Sequence, residues 1–427
     1  MQIEAQNQAT EGPGTTPGPL RAPSSGRGRL IRAAAKVALA ALLAVGLFLV
    51  GSLGLFRHGH DAGPTTGSPA GSLAAPALAV DRLTANIDAL QARLRANPSD
   101  FQSWGDLGFA YVQQSRVTAD PTYYPRAEGA LQKSLALHAG GNYVALAGMG
   151  ALSAARHDFA GALAWAEKAY AANPYLPAIL GVETDAYIEL GQYQKGFATL
   201  QRMVNMRPDT SSYARVSYAR ELQGDDAGAI FNMELALRAA GTPADEAWAS
   251  YYLGELYWNS GRPDLAEAQY RRGLQYDPGY HPNLEGVAKV EAARGDTAQA
   301  IRDYQAVVQA YPLPQFVIEL GDLYSITGEG QLAQQQYALV HAEQRLFVAN
   351  GVNVDIDIAL FNADHGTDLA AGLSAARAEW GRRKSIFVAD ALAWELHANG
   401  QDAQALAYAN RALELGTKSA LLCFHRG

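Results

Sequence analysis

Residues 247–278 read AWASYYLGELYWNSGRPDLAEAQYRRGLQYDP and contain two helical patterns separated by a short turn at Gly261. Each pattern places small and large residues together on one helical face. These residues are Leu253, Gly254 and Tyr257 in the first helix, and Ala266, Tyr270 and Gly273 in the second. Two helices cross closely only where the contacting side chains are small and larger neighbours fill the surrounding space. The stretch therefore predicts a packed helix pair that ends before Pro278, because proline cannot continue a helix.

The same two-helix pattern recurs along most of the chain. Prolines that end a second helix fall at positions 174, 208, 243, 278 and 312, and turn glycines at 191, 224, 261, 295, 328, 366 and 400. A nearly fixed period of this size indicates a solenoid. We predict an array over residues 81–427 with nine units, which begin near 101, 143, 177, 210, 247, 281, 314, 351 and 385. Residues 419–427 look like the start of a further helix that is cut short.

These helix pairs resemble the tetratricopeptide repeat (TPR) family. That family carries a bulky residue, Leu-Gly and Tyr on its first helix, then Ala, an aromatic residue and Ala on its second helix, followed by Pro. The first helix series is matched by Trp104, Leu107, Gly108 and Tyr111, and the second helix series by Ala300, Tyr304, Val307 and Pro312. The resemblance covers about 320 of the 427 residues. It implies an all-α fold, a right-handed α-solenoid of helix-turn-helix repeats.

One segment departs from the repeat pattern. Residues 344–360 lack a clean first-helix spacing, and apolar and polar residues alternate from Val352 to Ile358. Alternation with a period of two is typical of a strand, so a short strand is the alternative there.

The first eighty residues predict a membrane anchor ahead of the array. Residues 1–36 are rich in Gly, Pro, Ser and Thr and predict a disordered cytoplasmic tail. Residues 37–56, VALAALLAVGLFLVGSLGLF, carry no charge and match the length of a transmembrane helix. Residues 57–80 are again Gly-, Pro- and Ser-rich and predict a flexible linker.

The flanking charges predict the orientation of that span. Five basic residues precede it, at positions 21, 27, 29, 32 and 36, whereas only Arg57 follows closely. The positive-inside rule then keeps the N-terminus in the cytoplasm. We expect a single-pass protein of the cytoplasmic membrane with an extracytoplasmic array, and the Ala- and Gly-rich composition favours a bacterial source. A cleaved signal peptide and a cytoplasmic array acting as a signalling adaptor are the alternatives.

Composition excludes several classes of site. A single cysteine, Cys423, excludes an intrachain disulfide or a multi-cysteine metal centre, and a formal charge of −8 argues against nucleic-acid binding. Standard nucleotide, zinc-protease, calcium and serine-hydrolase motifs are missing. The sequence Gly328–Ala333 fits G-x-G-x-x-A but lies at a turn between helices, where the dinucleotide motif needs a preceding strand. We therefore predict no catalytic residue, cofactor, metal or small-molecule substrate.

The resemblance implies that first-helix residues not used in packing line a concave groove. In the 247–278 unit these are aromatic and acidic, and the neighbouring units add tyrosine and further carboxylates. The predicted partner-binding residues are Trp248, Tyr251, Glu255, Trp258, Tyr218, Glu221, Asp185 and Asp322. Aromatic anchors dominate interface energies, and acidic residues favour a partner with Lys or Arg. The sequence thus predicts a membrane-anchored, non-catalytic scaffold for a protein or peptide, unless Trp248 and Trp258 belong to the core.

The rival hypothesis is an enzyme or metal-binding protein that uses the irregular residues 344–368. This segment contains the largest cluster of carboxylates and histidine in the chain, which is Asp355, Asp357, Asp364, His365 and Asp368. Oxygen ligands of this kind suit a hard cation. Solvated loop charges with an Asp helix cap are the alternative interpretation.

Overall fold

A computed structural model describes residues 79–427, which form twenty α-helices and no β-strand. The helices are α1 Ala79–Ala96, α2 Phe101–Thr118, α3 Tyr123–Leu137, α4 Tyr143–Ala155, α5 Phe159–Ala172, α6 Pro177–Glu189, α7 Tyr193–Met206, α8 Thr210–Leu222, α9 Asp226–Ala239, α10 Pro243–Asn259, α11 Pro263–Tyr276, α12 His281–Arg294, α13 Thr297–Ala310, α14 Pro314–Thr327, α15 Gly330–Ala349, α16 Asp355–His365, α17 Leu369–Arg382, α18 Ile386–Ala398, α19 Asp402–Ala412 and α20 Ala420–Arg426. Helices α2–α19 form nine consecutive hairpins. The prediction of an all-α helical-repeat solenoid is confirmed.

Local chemistry explains where the helices start and stop. Several second helices begin at an aspartate whose side chain accepts a hydrogen bond from a backbone N–H of the first turn, as Asp158 and Asp225 do at 2.9 Å. Several first helices begin with proline, which lacks only an N–H that the helix would leave unpaired. Gly295 ends α12 with φ +91°, a conformation that side chains other than glycine rarely adopt.

The regular stacking changes between α15 and α16. Helix α15 has 20 residues, against 14 in the corresponding helix α13. Residues 350–354 then form a loop in which Val352 and Val354 are buried against the N-terminal helices. The alternating residues therefore form no strand, because they are half loop and half the start of α16, and the strand interpretation was wrong.

The array curls until its distant units touch. The Asn353 N–H donates to the Arg156 carbonyl at 3.0 Å, and the Ile386 N–H donates to the Tyr193 hydroxyl at 2.7 Å. Nearby, the Arg383 guanidinium donates to Glu189 at 2.5 Å, across 194 positions of sequence. We call these three contacts the clasp. They join the second and third hairpins to the eighth and ninth.

Closure of the clasp fills the concave side with the chain's own helices. Helix α18 is buried on nearly every side, and Phe387 from it shares one hydrophobic cluster with Tyr218 and Trp248. Leu421 and Leu422 of α20 enter the same cluster. The concave side is therefore an interior that is partly occupied, and the space that remains is a cavity.

The predicted location in the cytoplasmic membrane is overturned. Across residues 79–427 no helix combines the length and the apolarity that crossing a membrane requires. The physical reason is that the helices with 18 or more residues, α1, α2 and α15, contain many polar and charged side chains, whereas a span needs about 20 predominantly apolar residues. The predicted tail 1–36, the predicted span 37–56 and the predicted linker up to residue 78 lie outside the described residues.

Candidate functional site: the central cavity

The curled array encloses a cavity of about 560 Å³, which we call the central cavity. Its lining includes the C-terminal end of α2 and the loops that precede α12 and α14. Helices α16 and α18 and the short helix α20 also contribute lining residues. A volume of this size is typical of sites that hold a small ligand or a few side chains of a partner.

One wall of the central cavity is aromatic. The rings of Trp248 and Tyr252 lie 4.7 Å apart between centroids, and those of Tyr251 and Tyr252 lie 5.2 Å apart and edge to face. Tyr280 continues the wall at 6.4 Å from Tyr251. Such rings offer both apolar area and electron-rich faces, which attract cations. We call this set, Trp248, Tyr251, Tyr252 and Tyr280, the aromatic wall.

Carboxyl groups surround the aromatic wall. Those that line the central cavity are Glu189, Asp277, Glu319, Asp322, Asp357 and Asp364. The lining has two arginines, Arg116 and Arg383, and Arg383 already bonds to both Glu189 and Glu379. Acidic groups thus outnumber permanent cations in the lining.

Burial changes how these carboxyls titrate. It raises the pKa of Glu319 well above its usual range, and the neighbouring Glu285 adds to the rise. Burial also raises the pKa of Asp357 to about 6 and that of Glu189 to about 7, in both cases against the attraction of Arg383. A cation placed in the cavity would favour the ionised forms and lower these pKa values.

Beneath the aromatic wall lies a row of buried charges. Lys289 donates to Glu255 at 2.5 Å and lies 3.6 Å from Glu285, and all three side chains are almost fully buried. Farther along the array Arg215 forms a two-pronged ion pair with Asp185, at 2.9 and 2.8 Å. These pairs link first helices of successive hairpins, so they stiffen the wall and neutralise acids that the sequence had assigned to an open groove.

The eight residues predicted to bind a partner do not all lie at one site. Three of them, Trp248, Tyr251 and Asp322, line the central cavity. Asp322 accepts hydrogen bonds from Tyr337 at 2.8 Å and from the His365 imidazole at 3.0 Å.

The other five lie in the packing between hairpins. Asp185 and Glu255 occupy the buried ion pairs described above. Glu221 accepts from Asn259 at 3.1 Å, and Tyr218 belongs to the hydrophobic cluster around α18. Trp258 is half-buried, with the Lys289 ammonium 5.5 Å from its ring centroid.

The carboxylate and histidine cluster of residues 355–368 is dispersed. Asp355 pairs with Arg382, Asp364 accepts from the Trp394 indole at 3.0 Å, and His365 turns toward Asp322. Within residues 79–427 no group of three or more His, Cys, Asp or Glu side chains is arranged to hold a metal ion. The cluster therefore gives no support to the metal-binding or enzymatic alternative.

Several cavity residues were missed by sequence reasoning because they lie in connecting loops. Asp277 precedes Pro278, Tyr280 follows that proline by two residues, and Tyr311 precedes Pro312. A recurrent aromatic residue beside the inter-hairpin proline was the available signal. Arg383 and Asp357 offered no such signal, since they reach the cavity only through the closure of the array.

Comparison with known sequences supports the repeat assignment. A tetratricopeptide repeat family profile matches residues 249–280, and another profile of the same repeat matches residues 284–313. The chain contains tetratricopeptide repeats, as predicted. Cellulose synthase 1 operon protein C of Komagataeibacter xylinus is 26% identical over 227 residues. That match covers 52% of this chain and 14% of the relative, so the chain spans a small part of the relative's length.

Comparison with solved structures gives matches of low sequence identity. A tetratricopeptide repeat protein from Parabacteroides merdae is 14% identical with a TM-score of 0.35, and the match covers 67% of this chain and 98% of that one. The human IFIT1 dimer with m7Gppp-AAAA is 13% identical with a TM-score of 0.47, covering 77% of each chain. The Cut9–Hcn1 hetero-tetramer of the APC/C is 13% identical with a TM-score of 0.46, covering 81% and 58%.

Proposed function

We propose that this protein is a non-catalytic interaction scaffold that holds a basic segment of a partner protein in the central cavity. The observation that carries the proposal is the combination of the aromatic wall with carboxyls that outnumber the cations around them. Tetratricopeptide repeats are consistent with protein interaction in general. The basic segment and its position in the cavity are the proposal.

The chemistry of the cavity favours a guanidinium or ammonium group over other ligands. A cation over the face of Tyr or Trp gains about 0.5–2 kcal/mol, and more when water is excluded. The same cation would attract ionised Glu319 and Asp357, whose raised pKa values reflect apolar surroundings with too little positive charge. An acidic ligand would instead add like charge to a buried acidic site, which is unfavourable.

Glu319 provides a selective test. Burial raises the pKa of its carboxyl well above the usual range, which favours the neutral form in the free protein. The Glu319→Gln variant copies that neutral form in shape and hydrogen bonding, so it should fold normally. Glutamine cannot ionise in response to a bound cation. The variant should therefore bind a basic peptide more weakly while it remains folded.

The experiment measures fluorescence anisotropy of two labelled hexapeptides, Gly-Ser-Arg-Arg-Ser-Gly and Gly-Ser-Gln-Gln-Ser-Gly. We expect the arginine peptide to bind more tightly, and Glu319→Gln to weaken it by about tenfold. The matched control is Asp264→Asn, at a carboxyl that is 89% exposed on α11. Binding of both peptides alike, an unchanged affinity in Glu319→Gln, or no binding of the arginine peptide would each contradict the proposal.

A further inference from the structure

Three glutamates and one lysine form a compact group at the edge of the central cavity. Three of the four are at most 3% exposed, namely Glu255, Glu285 and Lys289. The Lys289 ammonium lies 2.5 Å from Glu255 and 3.6 Å from Glu285. Glu319 of α14 completes the group and is the member that lines the cavity. We call these four residues the glutamate cluster.

The glutamate cluster contains more acid than base. If all four groups were ionised, two negative charges would have no compensating cation within the cluster. Buried charge without compensation is strongly unfavourable, and a carboxyl in such surroundings takes up a proton instead. The packing of three carboxyls around one ammonium group therefore favours a protonated carboxyl in the free protein.

The ionisation of the individual groups follows this charge balance. Burial is the main cause that raises the pKa of both Glu285 and Glu319, and Glu255 adds to both rises against the attraction of Lys289. Although burial disfavours the charged form of Lys289, the glutamates around it hold its pKa above the usual value. The lysine thus stays charged, and the protons of the cluster reside on carboxyls.

The titratable groups that face Glu319 come from four other helices. They are Glu255 of α10, Tyr270 of α11, Glu285 and Lys289 of α12, and Tyr304 of α13. On α14 itself, Asp322 lies one turn farther along and binds Tyr337 of α15 and His365 of α16. Lys289 is the only permanent cation in this set, and Glu255 and Glu285 already surround it.

The Tyr304 hydroxyl connects the buried part of the cluster to the central cavity. It donates to Glu285 at 3.3 Å and also hydrogen-bonds to Glu319. One oxygen of Glu319, Oε2, is buried and has no hydrogen-bond partner within residues 79–427. An ionised carboxylate without a partner is unfavourable at this position, and a cation in the cavity would supply both a partner and the missing positive charge.

We infer that the central cavity exchanges a proton for its cationic ligand: Glu319 releases a proton to solvent when a guanidinium or ammonium group binds beside it. The inference rests on the proposed function, because it describes how the same site takes up a basic segment. One positive charge enters and one leaves, so the charge of the buried site is conserved. Protons and the basic segment then compete for one carboxyl, and acidification releases the segment.

Isothermal titration calorimetry of the full chain measures this exchange. The arginine hexapeptide Gly-Ser-Arg-Arg-Ser-Gly is titrated at pH 7 in phosphate and in Tris, whose ionisation enthalpies differ, so the difference in heat gives the number of protons released. We expect about one proton for each peptide bound by the wild type. Glu319→Gln should release far fewer, whereas the matched control Asp264→Asn, at a carboxyl that is 89% exposed, should match the wild type.

The pH dependence of the affinity is a second readout. Between the lower pKa of Glu319 in the complex and its higher pKa in the free protein, the release of one proton makes binding about tenfold tighter for each pH unit. The wild type should therefore bind the arginine peptide about tenfold more tightly at pH 7 than at pH 6, and Glu319→Gln should show a much smaller change. Both wild-type readouts stand without the variant, so the inference remains testable if Glu319→Gln fails to fold.

The outcomes separate this inference from the proposed function. Peptide binding without proton release would overturn the inference and leave the proposed function standing. Equal proton release in the wild type and in Glu319→Gln would also overturn it, because other cavity carboxyls such as Glu189 and Asp357 would then be the source. A wild type that does not bind the arginine peptide at either pH would overturn both.

Discussion

At the scale of single residues, the interior of this array is rich in carboxyls that burial holds partly protonated. Glu221, Glu285 and Glu395 each have a pKa raised to about 7, with burial as the main cause. A group with a raised folded-state pKa binds more protons when folded than when unfolded. Stability therefore falls as pH rises from the unfolded pKa to the folded one, and the protein should be more stable near pH 5 than near pH 8.

Glu343 shows this effect in its simplest form. The residue is 8% exposed on α15, one carboxyl oxygen has no hydrogen-bond partner, and burial alone raises its pKa to about 8. We predict that Glu343→Gln has wild-type stability near pH 5. Near pH 9, where the buried carboxylate is ionised, the variant should be more stable by about 1 kcal/mol or more, since one pKa unit corresponds to about 1.4 kcal/mol.

Urea unfolding at the two pH values measures that difference. Glu414→Gln, at an exposed position, serves as the control and should change stability by less than about 0.5 kcal/mol at either pH. A Glu343→Gln variant whose advantage is the same at both pH values would show that its effect comes from packing and not from the buried charge.

At the scale of helices, the fit of α10, α11 and α12 depends on one ring between two glycines. Tyr270 of α11 is fully buried, and it lies between Gly254 and Gly286. A Cβ atom at Gly254 would lie 2.3 Å from the Tyr270 ring, and one at Gly286 would lie 2.5 Å from it. Distances this short force a backbone shift, because the neighbouring atoms belong to a rigid ring in a close-packed interior.

We therefore predict that Gly254→Ala destabilises the protein by about 1–3 kcal/mol, the usual cost of overpacking a core. Gly129→Ala is the matched control. It lies inside α3, where an added Cβ meets no atom within 4 Å, so it should stabilise by about 0.5–1 kcal/mol through helix propensity. Urea unfolding measures the change in the free energy of unfolding for both variants. A Gly254→Ala variant with unchanged stability would mean that the helices adjust more easily than this packing indicates.

The residues of this helix pair also show which structural features can be predicted from the sequence. The small and large residues Gly254, Tyr270 and Gly273 recur at helical spacing, and that local information was sufficient to predict the hairpins. Local information could not predict the burial of Trp248, because that residue shares its hydrophobic cluster with Phe387 and Leu421, over 130 positions away. Local periodicity sets how one hairpin follows the last, but small angular differences accumulate over nine hairpins and decide whether the ends meet.

At the scale of the whole molecule, one buried arginine makes the main polar contacts that close the array. Arg383 is 3% exposed, bonds to both Glu189 and Glu379, and lies 4.9 Å from the Phe159 ring centroid. It therefore joins the third hairpin to the eighth, and Phe159 adds a contact from the second. Removing one partner of a buried ion pair costs about 3–5 kcal/mol, because the remaining charge is buried without compensation.

We predict that Arg383→Met opens the clasp while most hairpins stay folded. Hydrogen exchange of the Asn353 and Ile386 amides, which both donate across the clasp, should accelerate far more than that of the α11–α13 amides. The loss of amide protection at the clasp should be smaller at pH 5 than at pH 8, since at pH 5 the glutamates that lose their partner can be protonated in the folded state. Adding Glu189→Gln and Glu379→Gln removes the uncompensated carboxylates and should recover part of the protection. If exchange rises equally throughout residues 79–427, Arg383 supports the global fold, and the closed turn is not a separately stable feature of it.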